Sequence, residues 1–179
     1  VSGGTIASGD TVSLAHGQSI TIVGLPKGAT YTVAETDYSG DGYTAAGTGA
    51  TGFITADATQ TASFTNTRTV GNLTISKTVA GNAGDTGKKF DFTLTLNGAA
   101  DIPYAYTGNG VPDGTIQSGD TVSLAHGQSI TIEDLPDGTT YTVTEADYSG
   151  GGYTTAGTGA TGSVVTDTTQ TASFTNTRN

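Results

Sequence analysis

Three residues on separate apolar stretches could do chemistry together: Lys77 in NLTISKTV, Glu145 in YTVTEADY and Asn176 in QTASFTNT. Side chains along a β-strand point alternately to its two faces. On that period Lys77 shares a face with Leu73, Ile75 and Val79, Glu145 with Tyr141 and Val143, and Asn176 with Ala172 and Phe174. Apolar faces are the ones to be buried, so an ammonium, a carboxylate and an amide are expected to point inward. Phe90, Phe92 and Phe174 fall on inward parity and are available to surround them. Burying the two charges is costly unless they are paired or neutralised. Burial also drives a lysine toward its neutral, nucleophilic form and a carboxyl toward its protonated form. An uncharged amine beside a carboxamide, bridged by a protonated carboxyl, can react. The amine attacks the amide carbon, the carboxyl hydrogen-bonds the developing oxyanion and shuttles protons, and ammonia leaves. The product is a Lys–Asn isopeptide bond, which removes the buried charge. The roles are those of general acid–base catalysis, with the protein as its own substrate for one turnover.

The elements that must position these groups are strands. Thr, Val, Tyr and Ile punctuated by Gly, Asp and Asn describe an all-β protein. Strands are expected near 72–79, 89–96, 120–124, 129–133, 140–146, 163–166 and 170–177. AHGQ and LPDGT carry the residues of hairpin turns between them. About seven short strands of this kind imply a β-sandwich of immunoglobulin-like type. The apolar fraction, 34%, is low but sufficient for a thin sandwich whose core takes alternate residues only.

An internal repeat sets the domain organisation. Residues 1–69 align without a gap on 111–179, and about 52 of the 69 positions are identical. SGDTVSLAHGQSITI, GTGATG and TQTASFTNTR occur in both copies. The full repeat is therefore 70–179, and 1–69 is a partial sandwich without the equivalent of 70–110, which holds GNLTISKTVAG and KKFDFTLTL. The join, Thr67-Arg68-Thr69-Val70-Gly71, is too short for a flexible tether.

A lysine in the first strand, a glutamate in a YTVTE-type strand and an asparagine in a closing FTNT strand resemble the isopeptide-forming domains of Gram-positive pilins and surface adhesins, the CnaB-like and streptococcal-pilin-type repeats. The resemblance covers all of 70–179 and, as a truncated copy, 1–69. It implies tandem immunoglobulin-like sandwiches, with Lys77 as nucleophile, Asn176 as acceptor and Glu145 as catalytic acid/base. In the first copy Glu35 and Asn66 match, but no lysine does; Lys27 aligns with Asp137 in a turn. The family further implies a stalk or spacer of a pilus or adhesin on the bacterial cell wall, without a cofactor. Its partners would be neighbouring repeats. The strands missing from the first copy would come either from residues upstream or from a separate strand or chain.

Other readings are weaker on the residues. A host-ligand-binding module is the alternative; differences between the copies cluster at 53–58 against 163–168. A Thr–Gln ester would use Gln170, which is on inward parity, but Thr74 and Thr78 are on outward parity. His16 and His126 in the AHGQ turns, Lys88-Lys89, and the DYSGDG stretch at 37–42 are expected to be solvated loop features, with no metal site. The net charge of −10 argues against nucleic acid, which needs a basic footprint. No 18-residue apolar run is present to cross a membrane. No conventional catalytic constellation is visible, and GTGATG lacks the lysine and the following helix of a phosphate loop.

Overall fold

The computed structural model describes residues 4–99 and 101–179, which form strands and turns with two single-turn 3-10 helices, Ser39–Asp41 and Ser149–Gly151. In chain order the strands are β1 (Thr30–Thr32), β2 (Tyr43–Thr48), β3 (Thr51–Phe53), β4 (Ser63–Arg68), β5 (Val70–Ala80), β6 (Phe90–Asn97), β7 (Tyr104–Asn109), β8 (Gly114–Ile116), β9 (Thr121–Leu124), β10 (Ser129–Pro136), β11 (Thr140–Glu145), β12 (Thr154–Thr158), β13 (Thr161–Ser163) and β14 (Thr169–Thr177). The chain divides into two compact units. The smaller comprises residues up to Glu35 and Ala46–Thr65; the larger comprises Thr36–Ala45 and Asn66–Asn179.

The larger unit is an all-β sandwich. One sheet has six strands in the order β12-β14-β5-β10-β7-β8, the other four in the order β13-β11-β6-β9. β5 alternates buried positions with part-exposed ones and the exposed Thr78, and β6 alternates buried and exposed ones. The inner faces meet in one core that includes Leu73, Ile75, Phe90, Phe92, Leu94, Leu124, Ile130, Ile132, Leu135 and Phe174. Period-two patterning is what lets Thr-rich strands build this core. Threonines on the outer faces bond across strands, as Thr74 does with Thr131 at 2.9 Å, while every second residue packs inward. β5 and β14, the long strands at the two ends of this unit's chain, lie side by side and parallel, from Thr169 opposite Asn72 to Thr177 opposite Ala80.

Two sequence expectations need correction. AHGQ and LPDGT are not hairpins: β9 and β11 belong to the four-stranded sheet and β10 to the six-stranded one, so both turns carry the chain from one sheet to the other. Turn chemistry reports a reversal of direction, not the sheet that receives the next strand. β7, β8 and β12 were absent from the expected set, and the strand expected at 163–166 is β13 at Thr161–Ser163. β7 and β12 contain Gly108 and Gly157, which weaken a strand signal. At both sites the missing Cβ leaves room for a close neighbour: Val111 backbone beside Gly108, the Phe174 ring beside Gly157.

The smaller unit holds β1 paired with β3 and parts of β2 and β4, and is otherwise turns and chain without regular secondary structure. It contains a cleft of about 710 Å³ whose lining includes Ile6, Val12, Ile20 and Ile22. The repeat equivalents of three of these, Ile116, Ile130 and Ile132, are core residues of the larger unit.

Candidate functional site

Lys77 lies mid-way along β5 and is 1% exposed, because the strand's inner face packs its whole length against the opposite sheet. Its Nζ donates to Glu145 Oε1 at 2.8 Å, with the two side chains 0% and 4% exposed. Glu145 ends β11 in the sheet that faces β5, and it pairs there with Phe92 of the adjacent β6. The ammonium also sits 4.2 Å from the centroid of the Phe90 ring and 5.8 Å from that of Phe92. Phe92 in turn packs on Phe174 at 5.0 Å. Burial pushes the Lys77 pKa down, and the Glu145 hydrogen bond and charge pull it back only in part.

Asn176 lies on β14 and is fully buried. In the parallel register Lys77 faces Phe174, and Asn176 faces Val79, so the asparagine is two residues further along the adjacent strand on the same inner face. A diagonal neighbour at that separation is within reach of a long side chain such as lysine. Neither Asn176 Oδ1 nor Nδ2 has a hydrogen-bond partner, and Glu145 Oε2 has none either. Buried polar groups are nearly always satisfied, so three orphaned atoms beside one buried ion pair mark this spot as unusual. The arrangement places an amine with a lowered pKa, a carboxyl within proton-transfer distance and a carboxamide with both polar atoms free around one apolar pocket.

The remaining candidates fall elsewhere. Glu35 belongs to the smaller unit and Asn66 to the larger, and both are exposed. Lys27 occupies an exposed turn. Gln170 donates its amide to the Thr168 hydroxyl at 3.0 Å near the surface, Thr74 is engaged with Thr131, and Thr78 is exposed, a poor arrangement for an ester. Among the described residues no three His, Cys, Asp or Glu side chains gather to hold a metal.

Two residues do more than expected of loop features. His126 is exposed, yet its Nδ1 accepts from the Val79 backbone N–H at 2.9 Å. Lys88 is half-buried with its Nζ 4.8 Å from the Tyr148 ring and 5.7 Å from the Phe90 ring, so it is not a free loop end. A lysine two residues before an inward phenylalanine was the available signal for the second, and AHGQ itself carried none for the first.

A family described as a domain of unknown function (DUF7601) matches the sequence twice, over residues 1–68 and 71–178. The chain belongs to this family. The DUF7601 repeats are also similar to a pilin of Streptococcus pyogenes serotype M1, 37% identical over 103 residues, which cover 51% of this chain and 30% of that protein. Among solved structures, the major pilin of Streptococcus pyogenes matches with a TM-score of 0.52 at 28% identity, over 72% of this chain and 54% of that one. The T3.2 major pilin of the same organism shares the fold, with a TM-score of 0.53 at 22% identity over 88% and 70% of the two chains. The domains are of pilin type, and the chain spans about a third of the curated relative and about half of the first solved pilin.

Proposed function

We propose that the chain is a structural spacer of a bacterial surface pilus or adhesin, exposed outside the cell, whose larger unit closes itself with a Lys77–Asn176 isopeptide bond. The observation that carries this reading is the buried Lys77–Glu145 pair at 2.8 Å with the orphaned Asn176 amide diagonal to it on the adjoining strand. The pilin-type fold supports the spacer role. Transfer of the shared proton from Lys77 Nζ to Glu145 leaves a neutral amine beside a neutral carboxyl. The amine attacks Asn176 Cγ, and the Glu145 hydroxyl hydrogen-bonds the oxygen on which charge develops. Glu145 then carries a proton from the attacking nitrogen to Asn176 Nδ2, the C–N bond breaks, and ammonia departs. One N–Cγ bond forms and one breaks, with no oxidant or external reagent. The rings of Phe90, Phe92 and Phe174 keep water from competing with the amine for the Asn176 amide, and forming the bond removes the cost of burying the lysine charge.

Intact mass of the folded protein tests this. The expected chain is lighter than its sequence by one ammonia, while Glu145→Gln folds and keeps the full mass. A folded wild-type chain at full mass overturns the bond and leaves the pilin-type fold untouched. A Glu145→Gln chain that still loses ammonia overturns the role given to Glu145.

A further inference from the structure

DYSGGGY, residues 147–153, follows Glu145 almost at once and carries a tyrosine near each end. Asp147 Oδ1 accepts from the Ser149 N–H at 2.8 Å, which is an Asx turn. The Tyr148 carbonyl accepts from the Gly151 N–H at 2.9 Å, and Gly152 takes the left-handed φ of 79°. These turns fold the loop back on itself, so that Tyr148 and Tyr153 reach one target. Both rings meet Phe90 edge-on, with centroids 4.8 Å and 5.3 Å away and planes inclined at 69° and 89°. Their hydroxyls are tied to the chain on either side of that phenylalanine. The Asp91 N–H donates to the Tyr148 hydroxyl at 3.0 Å, and the Asp85 N–H donates to the Tyr153 hydroxyl at 3.1 Å.

Phe90 is fully buried, and its centroid lies 4.2 Å from Lys77 Nζ. Contact therefore runs without a break from the two phenol hydroxyls, through the tyrosine rings and Phe90, to the amine. An amine loses proton affinity when water is kept from it. The charged and titratable groups around it act in both directions. Glu145 bonds the ammonium and favours it, whereas Lys88, 5.7 Å from the Phe90 centroid, and Arg178, 5.7 Å from that of Tyr153, carry like charge and disfavour it. The Asp91 carboxylate is engaged with the Ser123 hydroxyl, and His126 Nδ1 with the Val79 N–H.

We propose that Tyr148 and Tyr153 are positioning residues for Lys77: their hydroxyls latch the 147–153 loop beside β6, and the latched loop seats Phe90 over the amine and keeps water from it. The purpose of this lid, a dry and nucleophilic amine, rests on the isopeptide reading. Its test does not, because Asn176→Ala keeps the amine free whether or not the natural chain links itself.

The experiment is an NMR titration of the Lys77 side chain in the whole Asn176→Ala protein, its signal assigned by its loss in Lys77→Met. Lys77 is expected to give up its proton below 10.5, the ordinary lysine value. Adding Tyr148→Phe or Tyr153→Phe keeps the ring and removes one latch. Each is expected to raise the proton affinity of Lys77 by about two- to tenfold, the worth of one net hydrogen bond, and the two together to raise it further. Tyr141→Phe alters a buried tyrosine that pairs with Leu96, at the other end of β6 from Phe90, and is expected to leave Lys77 unmoved. A general loosening of the sandwich would lower the urea midpoint without this pattern. A Lys77 titration unchanged in both single variants, or moved as far by Tyr141→Phe, overturns the proposal. A natural chain at full mass overturns the isopeptide bond instead, and the lid still stands or falls by the Lys77 titration.

Discussion

Taking the Lys77 ammonium out of water costs several kcal/mol, and the carboxylate of Glu145 and the Phe90 face offset only part of that. The lowered pKa of Lys77 is the measurable trace of the deficit. It has a consequence for any chain that cannot form the bond. In Asn176→Ala the amine remains, and its folded pKa lies below the unfolded value near 10.5. The unfolded state then binds more protons, so stability rises with pH as the amine discharges below 10.5. Tyr141 and Tyr148 oppose this higher up. Burial raises both their pKa values above 10, which favours the folded state until the unfolded tyrosines ionise, and that contribution fades as pH climbs past 10. The urea midpoint of Asn176→Ala is therefore expected to climb from neutral pH toward 10 and then turn down. Adding Lys77→Met should remove the climb; a slope that persists places its origin in another group. The inward faces of Lys77, Glu145 and Asn176 were legible from alternation alone, because a strand has only two sides. The orphaned atoms of Asn176 were not, since they depend on what stands opposite.

At the scale of elements, β5 decides the geometry of the site, and the AHGQ turn holds it. The Lys77 N–H donates to the Gln128 carbonyl at 3.0 Å, the Gly127 N–H donates to the Lys77 carbonyl at 2.9 Å, and the Val79 N–H donates to His126 Nδ1. One turn therefore fixes the backbone on both sides of the lysine. His126→Ala leaves the Val79 N–H without its acceptor, at a cost of about 1 kcal/mol. The expected result is a lower urea midpoint with an unchanged slope and with the ammonia still lost. An unaltered midpoint would show that water replaces the imidazole at no cost. The turn was legible as a turn because His-Gly-Gln sits between two β-branched runs. Its function as a clamp on a neighbouring strand was not, because β5 and the turn are some fifty residues apart in sequence. The parallel pairing of β5 with β14 was hidden for the same reason. Hydrophobic period assigns a face to each strand but is silent on which strands adjoin.

At the scale of the chain, the two copies show how little local sequence fixes burial. Leu14, Ile22, Leu25 and Val33 are 46%, 47%, 45% and 44% exposed, whereas Leu124, Ile132, Leu135 and Val143 are 0%, 0%, 0% and 2% exposed. The sequences around them are nearly the same; the difference is the segment 70–110, which supplies β5 and β6 to the second copy alone. That dependence also determines how load would pass through the larger unit. Tension applied at Val70 and at Asn179 pulls parallel strands in opposite directions, which shears every β5–β14 hydrogen bond at once. A bond from Lys77 to Asn176 would carry that load covalently and close a loop of about 100 residues, worth roughly 4–5 kcal/mol in the chain-entropy model. Residues 78–175 would then bear no tension. Pulled singly through handles at Val70 and Asn179, the wild-type unit is expected to lengthen only by its short terminal segments. Glu145→Gln, unlinked, should release residues 78–175 in addition, about 330 Å at the ~3.4 Å per residue of extended chain. The same long step in the wild type would show that force reaches the sandwich, and the spacer reading would lose its mechanical basis.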